Sequence, residues 1–316
     1  MSRPIAAGLS IGLCLALHAR ASETTAEDSA GVTVDSALGA TREFLRDTSE
    51  WVARRVDGWF GDKPFEQGGR VAGRVGLGAL WRQDEGNDWL TRFAVRLDLP
   101  NIREAGFLFL GRDNEREVVS DRPEAFTRRQ QLLQETREDQ AFFAGLGAQV
   151  LDVVSLRAGL RSGVKPFVQA RYRKDWDFGA HGSIEFRETV FWTLDDRFGS
   201  TTALNYGVEL APALVLRWQS AGTVAQESEG LEWASSVGLY RRFGDLRQLS
   251  LELLVNGQSG LDVDVGEYGW RARWEQPVHR DWLLGELILG HFWPRRNAIS
   301  ERGRAWAVGA NLQLRF

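Results

Sequence analysis

From Arg70 to the last residue, strand after strand repeats one arrangement, with apolar side chains at every second position and mostly polar or charged ones between them. A period of two marks strands with one apolar face. Val71, Val75, Leu77, Ala79 and Trp81 alternate with Arg70, Arg74 and Arg82, and Trp89, Phe93, Val95, Leu97 and Leu99 alternate with Arg92, Arg96 and Asp98. The order returns in Leu204, Tyr206, Val208 and Leu210 against Asn205 and Glu209, in Leu249, Leu251 and Leu253 against Ser250 and Glu252, and in Tyr268, Trp270 and Trp274 against Arg271, Arg273 and Glu275. Two such strands suit a soluble sandwich as well as a barrel. Their repetition, with charge always on the second face, selects a closed barrel that is apolar outside and charged inside.

The connections support this. Short turns at Pro100–Arg103, Leu151–Asp152, Phe178–Gly182, Ala211–Pro212, Gly244–Asp245 and His279–Arg280 interleave with mostly longer polar segments. The longest of these, Arg112–Gln140, is expected to be an external loop, like Thr223–Gly230, Gly257–Gly266 and Pro294–Gly303. Tight turns at one end and larger loops at the other are the pattern of an outer-membrane barrel. Strands are expected near 70–82, 88–99, 104–111, 141–150, 153–162, 166–176, 182–194, 200–210, 213–222, 231–243, 247–256, 266–277, 281–293 and 304–316. The fold class is therefore all-β, a transmembrane antiparallel up-and-down barrel of 14 strands occupying 67–316, or of 12 if 104–111 and 153–162 do not span. An even number leaves both barrel ends in the periplasm.

The beginning of the chain sets the compartment. Arg3, the apolar run Ile5–Leu17 and the small residues around Ala19 and Ala21 form a signal peptide, expected to be cleaved after Ala21. The run is too short for the ~20 residues of a membrane helix. Cys14 follows Leu13, where a lipoprotein signal carries a small residue, so lipidation is not expected. The one cysteine and one methionine both fall in this signal, so no disulfide, thiolate site or thiol nucleophile is available afterwards. Losing Arg3 and Arg20 takes the formal charge from 39 − 43 = −4 to 37 − 43 = −6, which disfavours nucleic acid as a partner. Beyond the signal no apolar run is long enough for a helical span, yet 13 Trp, 17 Phe and 34 Gly accompany 26% charged residues. Aromatic girdles around a charged lumen produce that composition.

Residues 22–35 lack an apolar period and read as a flexible mature N-terminus. Within 36–66 the pattern becomes helical over 36–60, with Leu38, Leu45, Val52, Val56 and Trp59 on one stripe and Gly61-Asp62-Lys63-Pro64 as the stop. This periplasmic amphipathic helix must bury its stripe on the barrel rim, inside the lumen or on a periplasmic partner.

The polar face of the strands holds the candidate functional residues: Arg74, Arg92, Arg96, Arg171, Arg173, Arg187, Arg217, Arg271 and Arg273 with Glu185, Glu209, Glu232, Glu252, Glu275 and Glu286. Lipid penalises an arginine at the bilayer midplane by roughly 2–4 kcal/mol, so these residues point into the lumen. They read either as the lining of a passive channel for small polar or anionic solutes or as arginine–carboxylate networks that hold a structural barrel shut. Glu188 lies on the outward face with Ile184, Phe186, Val190 and Trp192. A local bulge, or failing that a subunit contact, is expected to relieve it. Catalysis finds little: Asp195, Asp196 and His291 imitate the acids and histidine of a rim hydrolase by composition only. No metal-ligand cluster, phosphate loop or dinucleotide fingerprint occurs, and no cofactor is expected.

The final strand places Trp306, Val308, Ala310, Leu312, Leu314 and the terminal Phe316 on one face. It resembles the segment through which barrel-assembly machinery recognises outer-membrane proteins, with Trp306, Val308, Leu312, Leu314 and Phe316 as the signal. Trp51-Val52, Asp57-Gly58-Trp59-Phe60-Gly61-Asp62, Ala170–Trp176, Phe191–Gly199, His279–Leu283 and Phe292–Arg295 resemble a proteobacterial outer-membrane β-barrel family of uncharacterised activity. That resemblance implies the fold and an outer-membrane location, with lipid as the surrounding partner, and carries no functional residue.

Overall fold

The computed structural model describes residues 26–316 apart from 59–62, 103–105, 136–139, 163, 180, 296 and 300, with side chains from Ser36 onward. The expected signal peptide, residues 1–21, and Trp59 lie outside the described residues. The chain forms two compact units, residues 1–41 and 42–316. The first is helical from Ala26, which lengthens the helix α1 (Ala26–Asp57) beyond its expected start at Ser36.

The second unit carries fourteen strands: β1 (Arg70–Arg82), β2 (Gly86–Asp98), β3 (Gly106–Asn114), β4 (Gln140–Leu151), β5 (Val154–Arg161), β6 (Lys165–Phe178), β7 (Gly182–Thr193), β8 (Arg197–Ala211), β9 (Leu214–Ala225), β10 (Glu232–Phe243), β11 (Arg247–Gln258), β12 (Val265–His279), β13 (Leu283–Pro294) and β14 (Ala305–Arg315). Each pairs antiparallel with its sequence neighbours, and β14 returns to β1 to close the barrel. The short segments β3 and β5 are full members of the wall, so the count is 14 and not 12.

Closure places Leu77 opposite Leu312 and Arg74 opposite Arg315. Terminal Phe316 extends the ladder by exchanging both backbone hydrogen bonds with Gly73, at 2.9 and 3.0 Å. Its ring lies on that glycine so closely that a Cβ there would meet the ring at 2.1 Å. Gly73→Leu is therefore expected to displace the ring at a cost of about 1–3 kcal/mol, read as a smaller fraction of the heat-modifiable folded form after refolding.

Alternation sends one side chain in two outward. Leu77, Leu253 and Leu287 are 57%, 59% and 59% exposed there, in an apolar surface too extensive for a water-soluble protein. Trp81, Trp89, Trp192, Trp233, Trp293 and Trp306 ring the end with the long connections. Trp176, Phe178, Tyr206, Phe243 and Trp274 lie toward the end with the termini. An apolar band between two aromatic girdles is the exterior of a transmembrane barrel.

The later part of α1 lies on this exterior beside the terminal end. Val52, Ala53 and Val56 pack with Phe65 against Val71, Val95, Leu97 and Leu108, all on the outward side of β1–β3. The Asp57 carboxylate accepts the Asn101 backbone N–H at 3.0 Å and its side-chain amide at 2.7 Å. Arg42 donates to the Arg315 carbonyl at 3.1 Å and stacks over Trp282. Val52 and Val56 of the expected stripe are thus covered by the barrel's own residues. Asn101→Ala strands the buried Asp57 carboxylate and is expected to cost about 1–3 kcal/mol, seen as faster hydrogen exchange across residues 45–57.

Candidate functional site: the charged lumen and its inward segment

The strand registers put the arginines and glutamates named above on the inner face, but most do not neutralise one another directly. Between β3 and β4 the chain turns inward instead of outward, and residues 115–135 follow the lumen wall. This corrects the expectation of an external loop over Arg112–Gln140. The segment carries acids, free carbonyls and the apolar residues Val119, Phe126 and Leu132, which together satisfy a wall rich in arginine.

The path begins where Asp113, at the end of β3, receives Arg74 at 2.7 Å and Arg92 at 3.0 Å. Asn114 caps the short helix α2 (Glu115–Val118) by accepting the Arg116 backbone N–H. Val119 then enters a cluster of Phe107, Phe109, Phe143 and Phe167 on the inner face of β3–β6. Asp121 takes ion pairs from Arg171 and Arg187, the latter at 2.9 Å, and a hydrogen bond from the Thr189 hydroxyl at 2.9 Å. Arg116 and Arg122 reach Glu232 of β10 at 2.8 and 3.0 Å.

Phe126 packs on three alanines, Ala203, Ala221 and Ala234, whose small size makes room for its ring. Arg271 donates to the carbonyls of Ala125 and Gln130, and Arg82 donates to that of Gln131. Leu132 is 2% exposed among Leu80, Leu254, Ile288, Phe292 and Ala307. Gln134 and Glu135 end the circuit at β2, hydrogen-bonded to the Asn87 carbonyl and paired with Arg92.

Other pairs lie within the wall. Glu252 is wholly buried between Arg271, Arg273 and the Tyr240 hydroxyl. Arg273 also approaches Glu275 and Glu286, each at 3.5 Å. Toward the terminal end Arg173 meets Glu185 at 2.7 Å, Arg96 meets Asp98 at 2.8 Å, and Arg217 stacks on Tyr240. Arg173 and Arg96 remain about half exposed, as does Glu209. At the opposite end a cavity of about 1150 Å³ opens above the inward segment, lined by charges of both signs that include Arg116, Arg161, Lys165, Asp195 and Glu232.

Glu188 keeps its outward position. Its strand pairs without a register shift on either side, with Tyr172 opposite on β6 and Thr202 opposite on β8. The expected bulge is absent because Ser200 and Thr202, which share the outer face, hydrogen-bond the carboxylate directly. Glu188→Lys loses both acceptors and is expected to cost about 2–4 kcal/mol at mid-height, measured by denaturant unfolding in lipid vesicles.

The residues of the imagined rim hydrolase are not brought together. Asp195, in the turn between β7 and β8, is held by Lys165 and Arg161, each at 2.8 Å. The hydrogen bond from Lys165 keeps its carboxyl below the usual range, suiting it to an ion pair and not to proton donation. His291 sits across the barrel on the outer wall, against Trp293 and Trp306. Among the described residues no group of histidine, cysteine or acid side chains could hold a metal.

Several residues of the site escaped the sequence reading. The Gly106–Leu110 run is apolar on both faces, so periodicity could not show that Phe107 and Phe109 face the lumen. Their signal lies on the partner strand: Gly145 and Gly147 sit beneath those rings, and a Cβ on Gly147 would meet Phe107 at 2.2 Å.

No family model matches the chain, and no curated protein matches it. Among solved structures, the outer membrane channel DcaP of Acinetobacter baumannii shares 9% identity at a TM-score of 0.47, over 78% of this chain and 97% of that one. OccK3 (OpdO) of Pseudomonas aeruginosa shares 10% identity at 0.46, over 78% and 95%. The KdgM porin in complex with disordered oligogalacturonate shares 8% at 0.38, over 77% and 99%. The likeness is one of barrel architecture and carries nothing about solute.

Proposed function

We propose that this chain is a passive outer-membrane pore for small polar solutes, restricted by the inward segment 115–135 and needing no cofactor. The observation that carries this reading is where the lumen charge is spent. Arg74, Arg82, Arg92, Arg171, Arg187 and Arg271 bind a segment that interrupts the barrel, or the acid at its root, while charged side chains face open space on both sides of it. Water and counter-ions fill such spaces. In this reading outer-membrane lipid covers the apolar wall, and both barrel ends and α1 lie in the periplasm. The strand from Trp306 to Phe316 presents the barrel to the assembly machinery. The alternative, a sealed scaffold whose helix docks a partner, draws less support because Val52 and Val56 already pack on the barrel.

Planar-bilayer recording tests the proposal. The mature protein is expected to give discrete, salt-dependent current steps, and joining Glu115 to Glu135 through a short glycine linker should enlarge them severalfold. Silence from both proteins, with heat-modifiable migration proving both folded, would sink it.

A further inference from the structure

The wall from β3 to β7 holds residues 119–121 as a receptor holds a ligand. The Val119 side chain is packed among phenylalanines, and its carbonyl accepts from the Gln169 amide at 3.0 Å. Two residues on, the Asp121 carboxylate is met by Arg171, Arg187 and Thr189. Gln169 and Thr189 are 1% and 0% exposed, so the donors are fixed and out of water. Asp121 adopts φ 57°, a left-handed conformation that costs an L-residue energy and persists only where contacts impose it.

The wall also carries more cation than the segment supplies anion. Arg157 lies beside the rings of Phe107 and Phe109, 5.7 and 5.9 Å from their centroids, with no carboxylate at ion-pair distance among the described residues. Three arginines therefore face the single acid Asp121. An aromatic cluster beside surplus guanidinium has the chemistry for an amphiphilic anion.

We infer that this wall is a binding site for a small organic carboxylate with an apolar body, which Val119 and Asp121 occupy as an internal surrogate. Two residues of chain reach at most about 7 Å, which sets the spacing between the apolar body and the carboxylate. A solute of this shape competes with the segment for the wall and, on the pore reading, loosens the restriction that it must pass.

Calorimetry with 4-phenylbutyrate on the full mature chain, folded in detergent, tests the site without any current measurement. The Asp121→Ala protein should bind at least tenfold more tightly than wild type, because the competing carboxylate is gone. The neutral amide of the same compound, and acetate, should bind at least tenfold more weakly than phenylbutyrate. Adding Arg187→Gln to Asp121→Ala should abolish the gain. Should Asp121→Ala fail to fold, hydrogen exchange in wild type replaces it: phenylbutyrate must speed exchange across residues 115–126. No binding by a folded Asp121→Ala protein, binding indifferent to Arg187, or unchanged exchange in that replacement experiment overturns the site. Current steps without phenylbutyrate binding leave the pore and remove the site, whereas binding without current does the reverse.

Discussion

Truncating Arg271 to alanine is expected to destabilise the barrel by about 3–5 kcal/mol, because it leaves a buried carboxylate short of its main partner. Arg271 and Glu252 are both 0% exposed, and Glu252 retains only the Tyr240 hydroxyl and Arg273, the latter at 3.4 Å. The same change releases the carbonyls of Ala125 and Gln130, two anchors of the inward segment. Unfolding by guanidinium in lipid vesicles, followed by tryptophan fluorescence, measures the loss. Replacing both residues, as Arg271→Leu with Glu252→Leu, should cost less than the single truncation, since no charge is then stranded. A single-variant loss below about 1 kcal/mol would place the pair in the energetic class of solvated surface bridges and contradict its burial.

That double substitution also separates what was legible in the sequence from what was not. Strand faces were legible because register follows from a period of two, and a slip of one residue would turn Arg271, Arg273 and Glu275 into lipid together. Partners were not. Arg271 meets Gln130 across 141 positions of sequence, and nothing local to either residue encodes the meeting. The segment between β3 and β4 did carry a signal, since Val118, Val119, Phe126, Leu132 and Leu133 are apolar beyond the needs of a solvated loop. Its length and charge favoured an external position only while the lumen arginines were expected to pair with the lumen glutamates. Glu188 shows the opposite error: the period placed it correctly, and the expected bulge proved unnecessary because hydroxyls on β8 satisfy it.

The inward segment should respond to alkaline pH through Glu117, which lies on α2 and not in a spanning strand. Burial raises its carboxyl from the ordinary range to about 8, with Asp113 and Glu124 adding repulsion that Arg92 and Arg74 only partly offset. In the docked segment Glu117 is therefore neutral at pH 7, whereas in a freed segment it ionises in the ordinary carboxylate range. Protonation thus favours docking fully below that range, and the advantage is lost as pH rises toward 8, by up to about 1.4 kcal/mol per unit. Above about 8 the docked residue itself ionises beside Asp113. Current carried by the mature protein should increase between pH 6 and pH 9, a window that few carboxylates share. Glu117→Gln keeps the neutral form at every pH and should hold the current near its pH 6 value throughout. If that variant reproduces the wild-type pH profile, the titrating group lies elsewhere and α2 is not the pH-sensitive part of the restriction.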